Sequence, residues 1–504
     1  MKPIKVYEPK FQVRLIKTVD RKTVDGAQQT SERFRGTEGF IDLTPWLGDR
    51  SSITTSKSIY EGAGGFHFSM PDKPYSRAGG LDSLYGIVEP MDLVEIRLAH
   101  SGEDQPTGKP PLVMRGFVSS VTRDEEMSPN GTPVRTVNIH GQDYGKIWQM
   151  IQIFYGPSYI LGQDILSSFK LMDRFGAGLK TALTNVDFVK LSVDLINSYL
   201  ANVLPKDSGF PKITVRAENV IEAAVGITGI QTAEGTIYNL LKSYMDLGPY
   251  NELFLTEDDD GVYCVYRQNP VLGLSGVPLY PKVTVGPKNT GTLSVDAGQL
   301  VVTEIPEKDI VSIKVQRTDA GVANYYWVAA PPFSLNSDVI MRQMGATDAN
   351  EAKTINLGKY GNCSVDLYGH RMMQVDTHLG GPNVSNVQSG LTERENDLRD
   401  NDVFGWIRDR RGFLVAQNKD NSILEKGTLQ IRGNEKIRAG NYIKVHRGTV
   451  SSLYYVTSVT HRMQPYVGFM TTLNVTRGQG FSDRIKMGGG TDSPYLAERA
   501  TPGE

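Results

Sequence analysis

Met91–Leu98 reads MDLVEIRL, Met114–Asp124 reads MRGFVSSVTRD and Thr132–Gly141 reads TPVRTVNIHG. Near the other end, Gly440–His446 reads GNYIKVH, Leu453–Arg462 reads LYYVTSVTHR and Phe469–Gly478 reads FMTTLNVTRG. The second triplet repeats the first. Leu93-Val94-Glu95-Ile96 aligns with Tyr442-Ile443-Lys444-Val445, and Phe117-Val118-Ser119-Ser120-Val121-Thr122 with Tyr455-Val456-Thr457-Ser458-Val459-Thr460. Thr136-Val137-Asn138-Ile139 aligns with Thr472-Leu473-Asn474-Val475. The order is kept, and so is the period-2 parity of the apolar residues. A one-residue slip would turn every side chain to the other face, so kept parity predicts the same strands in the same roles. The expectation is two related β-modules in one chain. The first has the longer connection, His100 to Pro111, and loops absorb such insertions at little cost.

The 504 residues are enough for several domains, and 39 % hydrophobic content allows sizeable cores. The 52 Gly and 26 Pro suit a chain with many turns. Lys+Arg number 54 against 56 Asp+Glu, for a net charge of −2. This is not the global basic field that drives non-specific nucleic-acid binding. The two cysteines, Cys264 and Cys363, make neither a disulfide framework nor a four-cysteine metal cluster, and read as buried thiols. The start, MKPIKVYEPKFQVRLIK, lacks the apolar core of a signal peptide, and no run approaches the ~18 apolar residues of a membrane span.

Between the repeated modules the period changes. YGKIWQMIQIF, ILGQDILSSFKLMDRF and VDFVKLSVDLINSYLANVL read as helices; in the last, Val186, Val189, Val193, Ile196, Leu200 and Val203 recur at helical spacing. TIYNLLKSYMDL is a further helix ending at Gly248-Pro249, and ELFLTEDDDGVYCVYR is a hairpin turning at Asp260-Gly261. Thr392 and Glu395 form a capping-box pair for another helix. The fold class is therefore α+β and mainly β. The expected division is a first β-module over 1–145, an α/β insertion over 146–309, and a second β-module built from 310–330 and 424–478, the two modules being antiparallel β-barrels in the resemblance given below. A mixed helical excursion covers 331–423, and a glycine-rich, polar, extended tail covers 479–504.

Catalytic spacings are near misses. GQDYGKI (Gly141–Ile147) has too few residues between its glycines for a phosphate loop and no Ser or Thr after Lys146 to hold Mg²⁺. TEDDDG places Arg267 where a calcium loop needs a bidentate Glu. HExxH and GxSxG do not occur. No catalytic, metal-ligating or cofactor-binding residue is expected.

Other stretches carry a resemblance. Ala439–Val445 is a Gly-hydrophobic strand, Tyr454–His461 a Tyr-Tyr-Val strand ending Ser-Val-x-His, and Thr471–Gly478 reads Thr-Thr-x-x-Val-x-Arg-Gly. With them go Tyr250-Asn251-Glu252-Leu253-Phe254, Arg267-Gln268-Asn269-Pro270, Arg317-Thr318-Asp319 and Asn324-Tyr325-Tyr326. This pattern resembles phage tail baseplate hub proteins, among them the late-control family of contractile tails, and is similar to the N-terminal part of type VI secretion spike proteins. The resemblance implies a homotrimeric ring with two barrels and an inserted α/β domain per protomer. Such a ring joins the tail tube protein to the central spike protein, meets wedge proteins of the baseplate, and surrounds the channel for tape measure protein and DNA. It implies a virion location, assembly in the host cytoplasm, no membrane anchoring and no cofactor. Tyr454, Tyr455, His461, Arg477, Gly478 and Arg267 are its candidate interface or motif positions. Two other roles stay open: a tail-associated peptidoglycan hydrolase, and the core of a secretion spike.

Overall fold

A computed structural model describes residues 9–18, 21–22, 30–31, 39–48, 50–77, 80–101, 108–153, 184–204, 210–218, 220, 235–272, 278–279, 301–329, 361–377, 410–447 and 450–478. The expected Thr392 helix, the helix near residue 165, the centre of the His100–Pro111 loop and the tail after 478 lie outside the described residues.

The first unit contains β1 (Lys10–Ile16), β2 (Ile41–Asp42), β3 (Ser52–Ser58), β4 (Gly65–Pro71), β5 (Leu93–Ala99), β6 (Leu112–Met127) and β7 (Pro133–Asp143). Across the sheet they run β3-β4-β7-β6-β5-β1-β2. The insertion follows, with α1 (Lys146–Met150), α2 (Asn185–Val203), β8 (Ile213–Glu218), α3 (Ile237–Tyr244), β9 (Asn251–Glu257) and β10 (Val262–Gln268). The second unit comprises β11 (Val302–Ile305), β12 (Ile310–Gln316), β15 (Glu425–Arg432), β16 (Tyr442–Arg447), β17 (Val450–Gln464) and β18 (Gly468–Gly478); β13 (Tyr325–Ala329) and β14 (Met372–Asp376) lie between β12 and β15. The unit runs β12-β15-β18-β17-β16-β11.

Strand for strand, β3, β4, β7, β6, β5 and β1 correspond to β12, β15, β18, β17, β16 and β11. The registers agree at residue level. Leu93 pairs with Phe117 as Tyr442 pairs with Tyr455. A bulge lies between Val118 and Ser120 of β6, and another between Val456 and Ser458 of β17, at positions the sequence repeat had matched. Bulges kink and retwist a strand at one point, so two at matched positions mark one architecture used twice.

Three details depart from the sequence reading. Val121 pairs with Ile139 and Val459 with Leu473, so Ile139 corresponds to Leu473 and the third strands are offset by two residues from the sequence alignment. Parity survives a shift of two, and Val94, Ile96, Val137, Ile139, Ile443, Val445, Leu473 and Val475 are all buried. Val302–Ile305, placed with the insertion, pairs in parallel with β16, whereas its counterpart β1 runs antiparallel to β5. Tyr325–Ala329, placed in the second barrel, pairs instead with β14.

The two units meet where β17 pairs antiparallel with β3, from Ser458↔Ser58 to Met463↔Ile53. This makes one thirteen-stranded sheet, and among the described strands neither unit closes on itself by pairing. The cores interlock at the seam: Met463 and Phe469 of the second unit pack in the first unit's core, and Ile59 packs in the second unit's. Each such side chain, fully buried, contributes about 1.5–3 kcal/mol.

In the insertion, β8 runs parallel and β9 antiparallel to the central β10. Helix α2 starts at an N-cap, where Thr184 Oγ1 accepts from the Asp187 N–H at 3.2 Å. Its Val189, Val193, Ile196 and Leu200 stripe is buried as the spacing predicts. The helix read over YGKIWQMIQIF ends at Met150, and Gln152–Ile153 turns into a short strand.

Candidate functional site

The insertion is fastened to the second unit by a buried polar cluster. Glu252 on β9 sits opposite Arg267 on β10, a cross-strand pair whose Nε–Oε2 distance is 3.1 Å. Tyr455 on β17 donates its hydroxyl to Glu252 at 2.6 Å, and Arg267 donates to that hydroxyl at 3.1 Å and to the Gly440 carbonyl at 2.5 Å. Arg267, Glu252 and Tyr455 are all buried. Burial, and next the Glu252 charge, push the Tyr455 phenol well above its ordinary pKa, so it stays a donor. Gly440 has φ +83°, and a side chain there would strike the Phe254 ring and Arg267.

A second cluster joins both units and the insertion. Lys57 on β3 lies 3.2 Å from Asp143 on β7 and 2.9 Å from Glu257 on β9. Burial alone would lower the Lys57 pKa, but the Glu257 and Asp143 charges outweigh it and hold it above its usual value. Burial lifts the Asp143 carboxyl; Lys57 opposes that lift and Glu257 adds to it. Glu257 also accepts from the Arg115 backbone N–H at 2.8 Å, while the Arg115 guanidinium pairs with Glu95. Arg438 of the second unit donates to the Leu112 carbonyl of the first at 2.8 Å.

The remaining sequence candidates lie inside the chain too. Tyr454 is buried and donates to Glu425 at 2.7 Å; Gly478 backs its ring, where a Cβ would collide. Arg477 donates to the Gln417 carbonyl at 3.0 Å, tying the second unit to the excursion. His461 is buried beside Phe469, with Nδ1 at 3.0 Å from Thr471 Oγ1. The structure thus brings Arg267 to Tyr455 and Gly478 to Tyr454, and leaves His461 away from both pairs, each residue tying elements of a single chain. Glu252, Lys57, Asp143 and Glu257 were missed. Their only signal in the sequence is a charge inside an otherwise apolar or hydroxylic strand, and their partners are far away along the chain.

His461 gives a pH prediction. Burial, and next the Arg438 charge, lower its pKa to about 3. Below pH 6.5 the unfolded chain binds a proton that the folded chain does not, so stability falls with pH across the interval from 6.5 to about 3. Between pH 7 and pH 5 this one group should remove roughly 2 kcal/mol. Urea unfolding at the two pH values, compared between wild type and His461→Asn, isolates it; equal pH slopes in the two proteins would rule it out.

An open cleft between the excursion and the second unit is lined by Tyr60, Glu252, Met373, Leu414, Tyr455 and Arg477. Of its lining groups, Glu252 and Tyr455 are already engaged in the Arg267 cluster. No group of three or more His, Cys, Asp or Glu positioned for a metal occurs among the described residues, and no described helix is long and apolar enough to cross a membrane.

No protein-family model and no curated protein matches the sequence. Among solved structures the chain is similar to a tail protein from Neisseria meningitidis MC58, at 11 % identity and TM-score 0.42 over 94 % of this chain and 97 % of that one. It is similar to the 43 kDa tail protein of prophage MuSo2 from Shewanella oneidensis, at 11 % identity and TM-score 0.43 over 93 % and 98 %. It is also similar to an E. coli protein described as a component of the type VI secretion system, at 8 % identity and TM-score 0.36 over 85 % and 73 %. A likeness at this level of identity and superposition fixes no role.

Proposed function

We propose that the chain is a structural baseplate hub of a bacteriophage tail. In this reading it forms a homotrimer that adapts a hexameric tail tube to a trimeric central spike around the DNA channel. One observation carries the reading: a single chain holds two copies of one β-unit, joined edge to edge by an unlike pair of strands, β17 and β3. A head-to-tail joint of that kind closes into a ring when its rotation permits, and three chains then present six quasi-equivalent units. The sequence pattern shared with baseplate hubs supports the same reading. Closure of each unit into a barrel belongs to it, as do contacts with tube, spike and wedge proteins and passage of tape measure protein and DNA through the lumen.

The role is non-enzymatic in this reading, because the buried charges pair with one another, and the cleft's Glu252 and Tyr455 are held in the Arg267 cluster. Light scattering should give three times the chain mass, and electron microscopy a ring with near-six-fold inner features. A stable monomer in the presence of tube and spike proteins would end the proposal. The hydrolase alternative predicts peptidoglycan clearing on a zymogram that one carboxylate substitution abolishes.

A further inference from the structure

The seam inside the chain is a template for a seam that the chain leaves open. The second half of β17 pairs with β18 on one edge and with β3 on the other. Its counterpart is the second half of β6, which pairs with β7 on one edge and with no described strand on the other. The counterpart of β3 is β12, which pairs with β15 alone. The half-strands that meet inside the chain therefore have twins whose matching edges pair with no described strand. Ser119, Ser120 and Thr122–Met127 are exposed on the first open edge, as are Val311, Ser312, Lys314 and Gln316 on the second.

From this we infer that the open edge of β6 pairs antiparallel with β12 of a second copy of this chain, in a register set by the internal seam. Ile53 and Ile313 correspond, because they pair with Phe68 and Leu429, which in turn pair with the matched residues Ile139 and Leu473. Carrying Arg462↔Thr54 and Thr460↔Ser56 across the repeat puts Asp124 opposite Lys314 and Thr122 opposite Gln316 of the neighbour. Charge agrees with this register: the β6 edge carries Asp124-Glu125-Glu126 before its last residue, Met127, and Lys314 would face the first of these acids. Opposite charges facing across a strand pair are favourable, and like charges are not. β12 also has the marks of an edge that needs a cover. It is rich in Ile and Val and has no Pro, and Val311, at its bulge, is 52 % exposed. Repeated round a ring, the same joint would alternate within and between chains.

This rests on the ring reading above and adds to it the strands and the register. Cysteine pairs test it in the full chain; the native Cys264 and Cys363 are buried and give no background. Thr122→Cys with Gln316→Cys, and separately Arg123→Cys with Val315→Cys, sample adjacent positions of the predicted ladder. Both should give covalent multimers on a non-reducing gel after mild oxidation. Thr122→Cys with Val311→Cys, about 16 Å out of register, should not. In the second arm, Lys314→Glu should dissociate the ring by at least tenfold in midpoint concentration, and adding Asp124→Lys should restore it. A ring by light scattering without in-register cross-links, or one that ignores both charge changes, overturns this seam and leaves the ring standing. A wild-type chain that stays monomeric and uncross-linked overturns both.

Discussion

Arg267→Ala should cost about 3–5 kcal/mol of stability, the loss typical when one partner of a buried ion pair is removed. The guanidinium binds the Glu252 carboxylate, the Tyr455 hydroxyl and the Gly440 carbonyl together, and lies over the Phe254 ring. Without it, the buried Glu252 carboxylate loses its cation and keeps the Tyr455 hydroxyl as a donor. Glu252→Gln combined with Arg267→Met should be milder than Arg267→Ala alone, because no uncompensated charge remains. Tyr455→Phe should cost less again, about 1–3 kcal/mol for an unsatisfied buried partner. Urea unfolding of the set gives the comparison; Arg267→Ala within 1 kcal/mol of wild type would show that the pair does not hold the insertion to the second unit.

Val445→Asp should be at least as damaging, with a loss beyond about 4 kcal/mol and recovery mainly as insoluble protein. Val445 has no exposed surface and packs in the second unit's core with Ile443, Leu429 and Val456. Asn474→Asp, one residue from Val475 but on the opposite face, should stay within about 1 kcal/mol. Asn474 is exposed, and its amide donates to Ser458 Oγ at 2.7 Å and accepts from Thr428 Oγ1 at 3.2 Å. Soluble yield and thermal midpoints of the two variants check the face assignment; the reverse order of damage would mean that the strand is turned over.

Period-2 alternation made the repeated strands legible, since the buried face of each had to be apolar. It fixed which face was inside but not the pairing partner, so an error of two residues in the third strand left the pattern intact. Ser119 and Thr457, the bulge residues, look like any other strand positions; only the hydrogen-bond ladder reveals the extra residue. Val302–Ile305 is four residues long and pairs in parallel with a strand far along the chain, so nothing local announces it. Arg267 was visible as part of a recurring pattern, and Glu252 stood in a neighbouring one without being recognised as its partner. The Lys57 cluster was illegible for a different reason. Each of its charges is unremarkable alone, and only the approach of three segments makes Lys57 the shared cation of Asp143 and Glu257.

Covalent linkage of the two β-units has a kinetic consequence. Both strands belong to one chain, so the β17–β3 seam is an intramolecular contact that forms within each folding chain whatever the protein concentration. In the proposed ring, half of the joints would then be complete before any encounter, and only the other half would respond to dilution. A threefold encounter replaces a sixfold one, with fewer partly closed arcs to stall on. Assembly should thus proceed at concentrations where six separate copies of the same unit would remain apart.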